Sequence, residues 1–418
     1  MTETLDSIKE DDSETETDAS RPVAPHLPVE IVLRIVYFVR EPKKQATLHA
    51  ATLVSRSWYS AAIRDLYEKP RIMSPNYNRF VTTICPSINP HVRKTELAGM
   101  VRALDLSHII HDGSKSMTAR LLGRVKGTVM VFVAPQASFG INCLAPLSKC
   151  QNLKTLDLSW VSAPISMRAM LHSIRHLSQL TSLMLPRSAY ASEEPPNADS
   201  QWPLRLEVLR INGNLRRSTV EYFSNLPASL RYLCVDNCPQ AERSVVEELI
   251  GYVRHQLRSL HLGHNMRLES GDYDLVLQAA PNLLRLTIPL DFITENFFAA
   301  CIIAGLDSAE QCPLVSLTFD ASELEVGIDK ESDALFCALC DGGLPCLRQA
   351  RFTTRVWWTK SEKGERDMEE LGEYLEALDR EDKVKSGMRA GAYLIEAYDF
   401  CRNDYLEDCM TESNSGFA

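Results

Sequence analysis

A short apolar pattern, L-x-x-L-x-L, recurs along most of this chain. Its first positions are residues 101, 153, 180, 206, 230, 257, 283, 314 and 347, which corresponds to a period of about 26 residues. A weaker copy at 128–133 fills the one gap of two periods. Because alternate side chains of a strand share a face, the second and third apolar positions of each copy predict a short strand.

Stretches with helical patterning follow several of these predicted strands, at residues 165–178, 241–256, 270–280 and 293–305. One strand and one helix cannot bury their own leucines, so each unit must stack on the next. Burial of each Leu or Ile contributes roughly 1.5–3 kcal/mol. The pattern therefore predicts an α/β array of stacked units with parallel strands.

The period and the pattern resemble those of leucine-rich repeats. That resemblance implies a solenoid, or horseshoe, with its parallel strands on the concave face. It also implies Asn or Cys three residues after the last apolar position, where the side chain bonds the turning backbone. The middle copies place short polar residues there, and the outer copies place Ile109, Val161 and Ser188 there; the middle set is Asn214, Cys238, Asn265 and Asp291.

Residues Leu27 to Val39 form an apolar block that only Glu30 and Arg34 interrupt. Pro28 suits the first turn of a helix, so the block predicts a short helix that is apolar on nearly every side. Residues 46–72 predict two further helical pieces. A module of about forty-five residues has too little mass to cover such a helix fully, so another protein is the expected cover.

The composition is that of a globular protein, with 418 residues, 45% of them hydrophobic, and a net charge of -10. The acidity is localised, because residues 1–21 hold eight acidic and two basic residues and residues 362–385 hold ten and five. The body between is close to neutral, which argues against binding to nucleic acid. No apolar run approaches the ~20 residues that span a bilayer. We expect an intracellular protein of the cytoplasm, the nucleus or both.

No arrangement of reactive residues predicts an enzyme, a cofactor or a metal site. Cys337, Cys340 and Cys346 have no nearby His or second CxxC to complete a zinc site. Asp105 and Asp157 occupy equivalent strand positions two periods apart, so they repeat a pattern and do not form an acid–base pair. The twelve cysteines suggest no disulfide framework.

The N-terminal helical module resembles the F-box. The residues that carry the likeness are the opening "LPVEIVLRI" and the block "LVSRSW". The trailing "LYEKPRI" looks like the junction that fungal F-box proteins make with their repeat domain. The resemblance, the polar composition of residues 1–25 and the one-sided apolar helix pattern near the C-terminus together predict four regions. They are an acidic disordered tail at 1–25, the F-box at 26–70, the repeats at 71–360 and a helical C-terminal cap and tail at 361–418.

The resemblance implies a non-catalytic substrate receptor of an SCF-type (Skp–cullin–F-box) ubiquitin ligase. The F-box would dock on a Skp-type adaptor, and through it on a cullin, while the repeats hold a protein substrate. The alternative is a repeat scaffold that binds partners without acting in ubiquitination. By resemblance, the following residues divide between bundle core and adaptor contact: Leu27, Pro28, Ile31, Leu33, Ile35, Val36, Leu53, Val54 and Trp58.

Strand residues that flank the second and third apolar positions are the candidate substrate contacts on the concave surface. Trp357 and Trp358, just past the last predicted strand, are candidate interface anchors, unless they pack under the C-terminal cap. For each strand residue, a merely solvated face is the alternative. The candidates are Asp105, Asp157, Arg210, Tyr232, Cys234, Asp236, His261, Arg285, Thr287, Asp320 and Arg351.

Overall fold

The structure is a computed structural model that describes residues 27–40, 44–86, 95–110, 113–192, 196, 200–265, 267–300, 312–321, 329–341, 343–356, 362–381 and 389–396. The chain divides into two compact units, Met1–Leu66 and Tyr67–Ala418.

Three helices begin in the described part of the first unit. They are α1 (Val29–Phe38), α2 (Gln45–Thr52) and α3 (Arg56–Glu68). Pro28 precedes α1 in an extended conformation, where its missing N–H does no harm because first-turn N–H groups have no helical partner. The Ser55 hydroxyl accepts a hydrogen bond from the Trp58 backbone N–H (3.4 Å) at the start of α3. All three helices lie where the hydrophobic pattern predicts them.

The core of this first unit is small. Val36 of α1, Leu48 and Ala51 of α2 and Ala62 of α3 form its buried cluster. Two of these four side chains are alanines, so they remove little apolar area from water. The half-buried side chains packed around the cluster are Val39, Trp58, Ala61 and Leu66.

The second unit is built on one large parallel sheet whose strands follow the order of the chain. Eleven strands form it in the order β1-β2-β3-β5-β7-β8-β9-β10-β11-β12-β13, and β4 pairs with β6 separately. The strands are β1 (Ala103–Asp105), β2 (Val131–Val133), β3 (Thr155–Asp157), β4 (Ile165–Ser166), β5 (Ser182–Met184), β6 (Ala189–Tyr190), β7 (Val208–Asn212), β8 (Tyr232–Asp236), β9 (Ser259–Leu262), β10 (Arg285–Pro289), β11 (Ser316–Asp320), β12 (Gln349–Thr353) and β13 (Gly391–Ile395).

Each strong copy of the sequence pattern supplies one strand of this sheet, and the weak copy at 128–133 also falls on a strand, β2. The register of that copy is wrong by one residue, because its second position is Val131, whereas the structure buries Phe132 and pairs it with Leu104 and Leu156. The second apolar positions align in register across the sheet and are buried. This alignment is why a motif that recurs with one period gives a continuous core: every leucine packs against its counterpart in the neighbouring strand. The aligned row is Leu104, Phe132, Leu156, Leu183, Leu209, Leu233, Leu260, Leu286, Leu317 and Ala350.

The polar position after each strand ties one unit to its predecessor. Ser188 donates to the Ala163 carbonyl (2.6 Å), and the Asn214 side chain donates to the carbonyl of Ala189. Asn265 is fully buried and accepts a hydrogen bond from the Cys238 backbone N–H (2.8 Å). The turn-bonding role expected for Asn214 and Asn265 is confirmed, and Ser188 performs it as well.

Helices connect most of these strands and cover the leucine face. From α9, for example, Val245, Val246, Leu249, Ile250 and Val253 enter the core. Residues 295–300 are also helical. None of the described helices is long and apolar enough to cross a membrane. The bounds are α4 (Ser74–Ile84), α5 (Lys115–Val125), α6 (Leu144–Leu147), α7 (Met167–Ile174), α8 (Arg217–Val220), α9 (Arg243–Val253), α10 (Val276–Ala279), α11 (Asp329–Cys340) and α12 (Glu362–Glu381).

The segment 186–203 lacks the helical pattern that follows other strands, and it is anchored at both described ends. Its β6 pairs with β4, which lies one unit earlier. Trp202 is buried, stacks on Phe223 (5.5 Å between ring centroids) and donates to the Tyr222 carbonyl (2.8 Å). Tertiary pairing and one large aromatic ring therefore order parts of a segment that lacks its own periodicity.

The C-terminal region differs from the helical cap predicted for it. Leu371 and Leu375 of α12 are buried in the main core, as the apolar face of that helix predicts. The segment Gly391–Ile395, however, is an eleventh strand that pairs in parallel with β12. It has no leucine at the first position of the pattern, so its strand character comes from pairing with a neighbour.

Candidate interaction surfaces

Helix α1 buries one narrow line of side chains and exposes the rest. Val32 and Val36, four residues apart, face inward. Because successive helix residues are 100° apart, one apolar flank lies on each side of this line. Both flanks are exposed, and they consist of Ile31, Ile35 and Phe38 on one side and Val29, Leu33 and Tyr37 on the other.

The turn between α2 and α3 adds to the exposed apolar surface. Leu53 is 73% exposed and Val54 is 65% exposed, and neither is covered within the described chain. Side chains of this kind contribute roughly 1.5–3 kcal/mol each when a partner buries them fully. Exposed apolar surface of this density is typical of a protein-interaction site.

The structure separates the residues predicted for adaptor contact into two groups. Val36 belongs to the buried cluster of the first unit, and Trp58 is half-buried against it. The others are exposed: Leu27, Pro28, Ile31, Leu33, Ile35, Leu53 and Val54. The prediction omitted four exposed apolar side chains, Val29, Tyr37, Phe38 and Tyr59. Tyr37 and Phe38 end the same apolar block, so its length was the signal that could have found them.

A second set of candidates lies on the strand face opposite the leucine row. Asp157, Arg210 and His261 occupy equivalent positions on β3, β7 and β9. All three are buried, as are Cys234 and Thr287 in the same row. Neighbouring strands are only about 4.8 Å apart, so large side chains in one row shield each other from water. The expectation that this row lies open to solvent is wrong for these five residues.

Burial sets the charge state of two groups in this row. It raises the pKa of Asp157, against the opposing effect of hydrogen bonds from Ser159 and a weaker effect of Arg210. Burial, with a smaller contribution from Arg210, lowers the pKa of His261 to about 3. His261 is therefore neutral at physiological pH. The Arg210 guanidinium also lies over the Tyr232 ring, 5.6 Å from its centroid.

The aspartates at the strand ends hold turns. Asp105 accepts the Ser107 backbone N–H (2.9 Å), and Asp157 accepts that of Ser159 (2.8 Å). These equivalent bonds agree with the interpretation of the two residues as repeats of one pattern. Burial raises the pKa of Asp236, while hydrogen bonds from Asn237 oppose the rise.

The remaining candidates differ in accessibility. Arg285 is exposed, and Arg351 is half-buried. Asp320 accepts a hydrogen bond from the Thr353 hydroxyl (2.6 Å) and pairs with Arg355 (3.5 Å). Trp357 and Trp358 lie outside the described residues.

No group of three His, Cys, Asp or Glu side chains in the described ranges is arranged to hold a metal ion.

Comparison with known proteins gives two curated relatives. The F-box protein YDR306C of Saccharomyces cerevisiae is 29% identical over 348 residues, which cover 79% of this chain and 71% of that protein. Protein pof5 of Schizosaccharomyces pombe is 28% identical over 319 residues, which cover 76% of this chain and 87% of that protein. No protein-family model matches the chain.

Among solved structures, a chain of the Toll–Spatzle complex from Drosophila aligns with a TM-score of 0.29 at 13% identity. The alignment covers 56% of this chain and 25% of that chain. A score this low does not indicate a shared fold.

Proposed function

We propose that this chain, which is similar to the F-box protein YDR306C of Saccharomyces cerevisiae, is a non-catalytic substrate-recognition subunit of an SCF-type ubiquitin ligase. The observation that carries the proposal is the exposed apolar surface of the first unit. Its residues are those by which the sequence resembles an F-box, and α1 buries only two of its apolar side chains.

In this proposal, the exposed residues of α1 and the α2–α3 turn dock on a Skp-type adaptor, which connects the chain to a cullin. Val36 and Trp58 then support the surface from below. The contact would be made by Leu27, Pro28, Ile31, Leu33, Ile35, Leu53 and Val54, extended by Val29, Tyr37 and Phe38. An interface of this kind needs no cofactor.

The second unit would be a leucine-rich-repeat solenoid that binds the protein substrate. A parallel sheet in chain order and a period of about 26 residues support this reading. The accessible candidates, Asp105, Asp236, Arg285, Asp320 and Arg351, would contact the substrate. The buried row of Asp157, Arg210 and His261, with the buried Tyr232 beside Arg210, would fix the shape of the wall behind them.

Adaptor binding tests the proposal directly. Full-length protein carrying Leu53→Ser and Val54→Ser should bind a Skp-type adaptor at least about tenfold more weakly, because two exposed anchors are lost. The matched control is Leu204→Ser, since Leu204 is 83% exposed in the second unit. Affinity is measured by biolayer interferometry, with thermal unfolding to verify folding. Failure of the folded wild-type chain to bind the adaptor would overturn the proposal.

The second candidate function is a repeat scaffold that binds partners but delivers nothing to a ligase. It is favoured if the adaptor binds but a cullin does not join the complex in a pull-down with purified components. Recruitment of the cullin supports the ligase role.

A further inference from the structure

Exposed cations collect at one edge of the large sheet, where the chain leads from a helix into each strand. The described segments that enter strands β2 to β10 carry almost all of them, at 126–130, 148–154, 175–181, 201–207, 224–231, 254–258 and 280–284. We call their exposed cations, with the first residue of β10, the basic edge: Lys126, Lys149, Lys154, Arg205, Arg231, Arg254, Arg258 and Arg285.

This edge has almost no compensating negative charge. Glu207 is the single carboxylate within those seven segments. None of the basic-edge cations lies within 4.0 Å of a carboxylate in the described part of the chain. At the opposite ends of the strands, β1, β3, β8 and β11 each finish on an aspartate. Aspartates are therefore more frequent where the described strands end than in the segments that lead into them.

Hydrogen bonds to the next unit fix several of these guanidinium groups. Arg231 donates through Nη1 to the carbonyls of Ala228 (2.7 Å) and Gln256 (3.3 Å). Arg258 donates to the Asn282 carbonyl (3.2 Å). Each guanidinium bonds through one terminal nitrogen and keeps other N–H donors, so its position is set while its charge remains exposed.

Helix stability explains only part of the edge. Lys126 and Arg254 directly follow α5 and α9, where a cation is favoured by the helix dipole. Lys154, Arg231 and Arg258 instead directly precede a strand, where no helix end favours a cation. Lys149 and Lys154 make no hydrogen bond through their ammonium groups to any described residue. These positions call for a different explanation.

We propose that the basic edge binds an Asp/Glu-rich segment of a partner protein. Because the strands of the sheet follow the order of the chain, the segments that lead into them lie side by side along one edge. An extended acidic segment that runs along this edge can place its carboxylates beside cations of several units. Identification of this partner as the ligase substrate rests on the proposed function; the binding itself does not.

Two other anionic ligands fit the edge less well. A phosphate group is held by several donors that converge on one point, whereas these cations are distributed over successive units. Single-stranded nucleic acid needs exposed aromatic rings for stacking. Apart from histidines, the seven segments contain one aromatic residue, Trp202, and its side chain is buried. Acidic polypeptide is thus the ligand class that the edge favours.

The test uses full-length protein and a fluorescein-labelled peptide of alternating Glu and Gly, with a Gln–Gly peptide as control ligand. Fluorescence anisotropy at low salt should detect the Glu–Gly peptide alone, with binding that weakens as salt rises. Lys149→Glu with Lys154→Glu should weaken that binding by about tenfold or more. The control reverses Arg187 and Arg216, which follow strands β5 and β7, to Glu; it changes net charge equally and should preserve binding within about twofold.

Three results would overturn the proposal: no binding of the Glu–Gly peptide, equal weakening in both double variants, or tighter binding of an oligothymidylate of equal charge. Adaptor affinity is measured on the same samples. Both variants should keep it, because the lysines and arginines lie outside the first unit. A wild-type chain that binds the adaptor but not the Glu–Gly peptide would therefore contradict the basic edge and leave the ligase role standing. A wild-type chain that binds the peptide but not the adaptor would contradict the ligase role alone.

Discussion

Helix α1 and the leucine row of the large sheet are both strongly apolar in sequence, yet their side chains have opposite fates. In the sheet, the nine members of the aligned row from Leu104 to Leu317 each have side chains that are at most 1% exposed. In α1, Val32 and Val36 are buried while Ile31 and Leu33 remain about half exposed. The difference does not lie in the hydrophobicity of the residues.

The difference lies in what each region offers as cover. A repeated unit presents its leucines to an identical neighbour, so the sheet supplies its own partner at every step. The described part of the first unit has three short helices and six buried apolar side chains, two of them alanines. A module of that size cannot cover a helix that is apolar on nearly every side. Apolar sequence is thus core in one region and exposed surface in the other.

The largest expected effect is in the sheet. Leu233 is fully buried in β8, with aligned leucines on both sides. Leu233→Ala removes those contacts and leaves a cavity, so the free energy of unfolding should fall by roughly 2–5 kcal/mol. Chemical denaturation measures the change.

The control for this substitution is Leu204→Ala, because Leu204 is the most exposed large apolar residue described. It should change stability by less than about 0.5 kcal/mol. A small effect of Leu233→Ala would mean that the row does not form a continuous core, and the comparison with α1 would fail.

A smaller effect concerns a polar group that the sheet buries. The pKa of His261 is about 3, below its usual 6.5, so at low pH the unfolded chain takes up a proton that the folded chain does not. Protonation of this histidine in the unfolded chain therefore lowers the free energy of unfolding as the pH falls from 6.5 towards 3. Above pH 6.5 the histidine is neutral in both states, and this loss is absent. The loss reaches about 1.4 kcal/mol per pH unit.

Comparison with His261→Gln isolates this contribution. The glutamine does not titrate, so its unfolding free energy should fall less steeply than that of the wild type between pH 6 and pH 4. Denaturation at each pH gives the two slopes. Equal slopes would show that His261 is accessible to protons in the folded chain and that the strand face is more open than its packing indicates.

The smallest expected effect on stability is in α1. Ile31→Ala with Leu33→Ala truncates one residue from each exposed flank, so the unfolding temperature should hardly move and stability should change by less than about 1 kcal/mol. Val36→Ala is the matched control, because this buried residue of the same helix should cost roughly 1–3 kcal/mol. A stability loss from the flank substitutions as large as that from Val36→Ala would make α1 ordinary core.

Much of the fold could be predicted from local pattern. The ten strands from β1 to β12 in the large sheet coincide with copies of one motif, because the spacing of buried leucines is dictated by the strand itself. The three helices of the first unit and the role of Asn265 follow for the same reason. In each case a residue within a few positions along the chain carries the signal.

Other features depend on distant partners and carry no local signal. Strand β13 exists because β12 offers it an edge, and β6 exists because β4 does. The sequence placed Asp157, Arg210 and His261 on one face correctly but did not reveal that they shield each other. The basic edge was also missed, because its cations are distributed over several repeats and look like isolated surface charges in the sequence.

The sequence by itself determined which residues seek burial and how often they recur, since both depend on side-chain chemistry and strand geometry. Only the tertiary structure decided which of them find cover within the chain. Burial is a property of pairs: Leu233 has a leucine on each neighbouring strand, while Ile31 has none on a neighbouring helix. That contrast makes one apolar stretch core and leaves the other exposed.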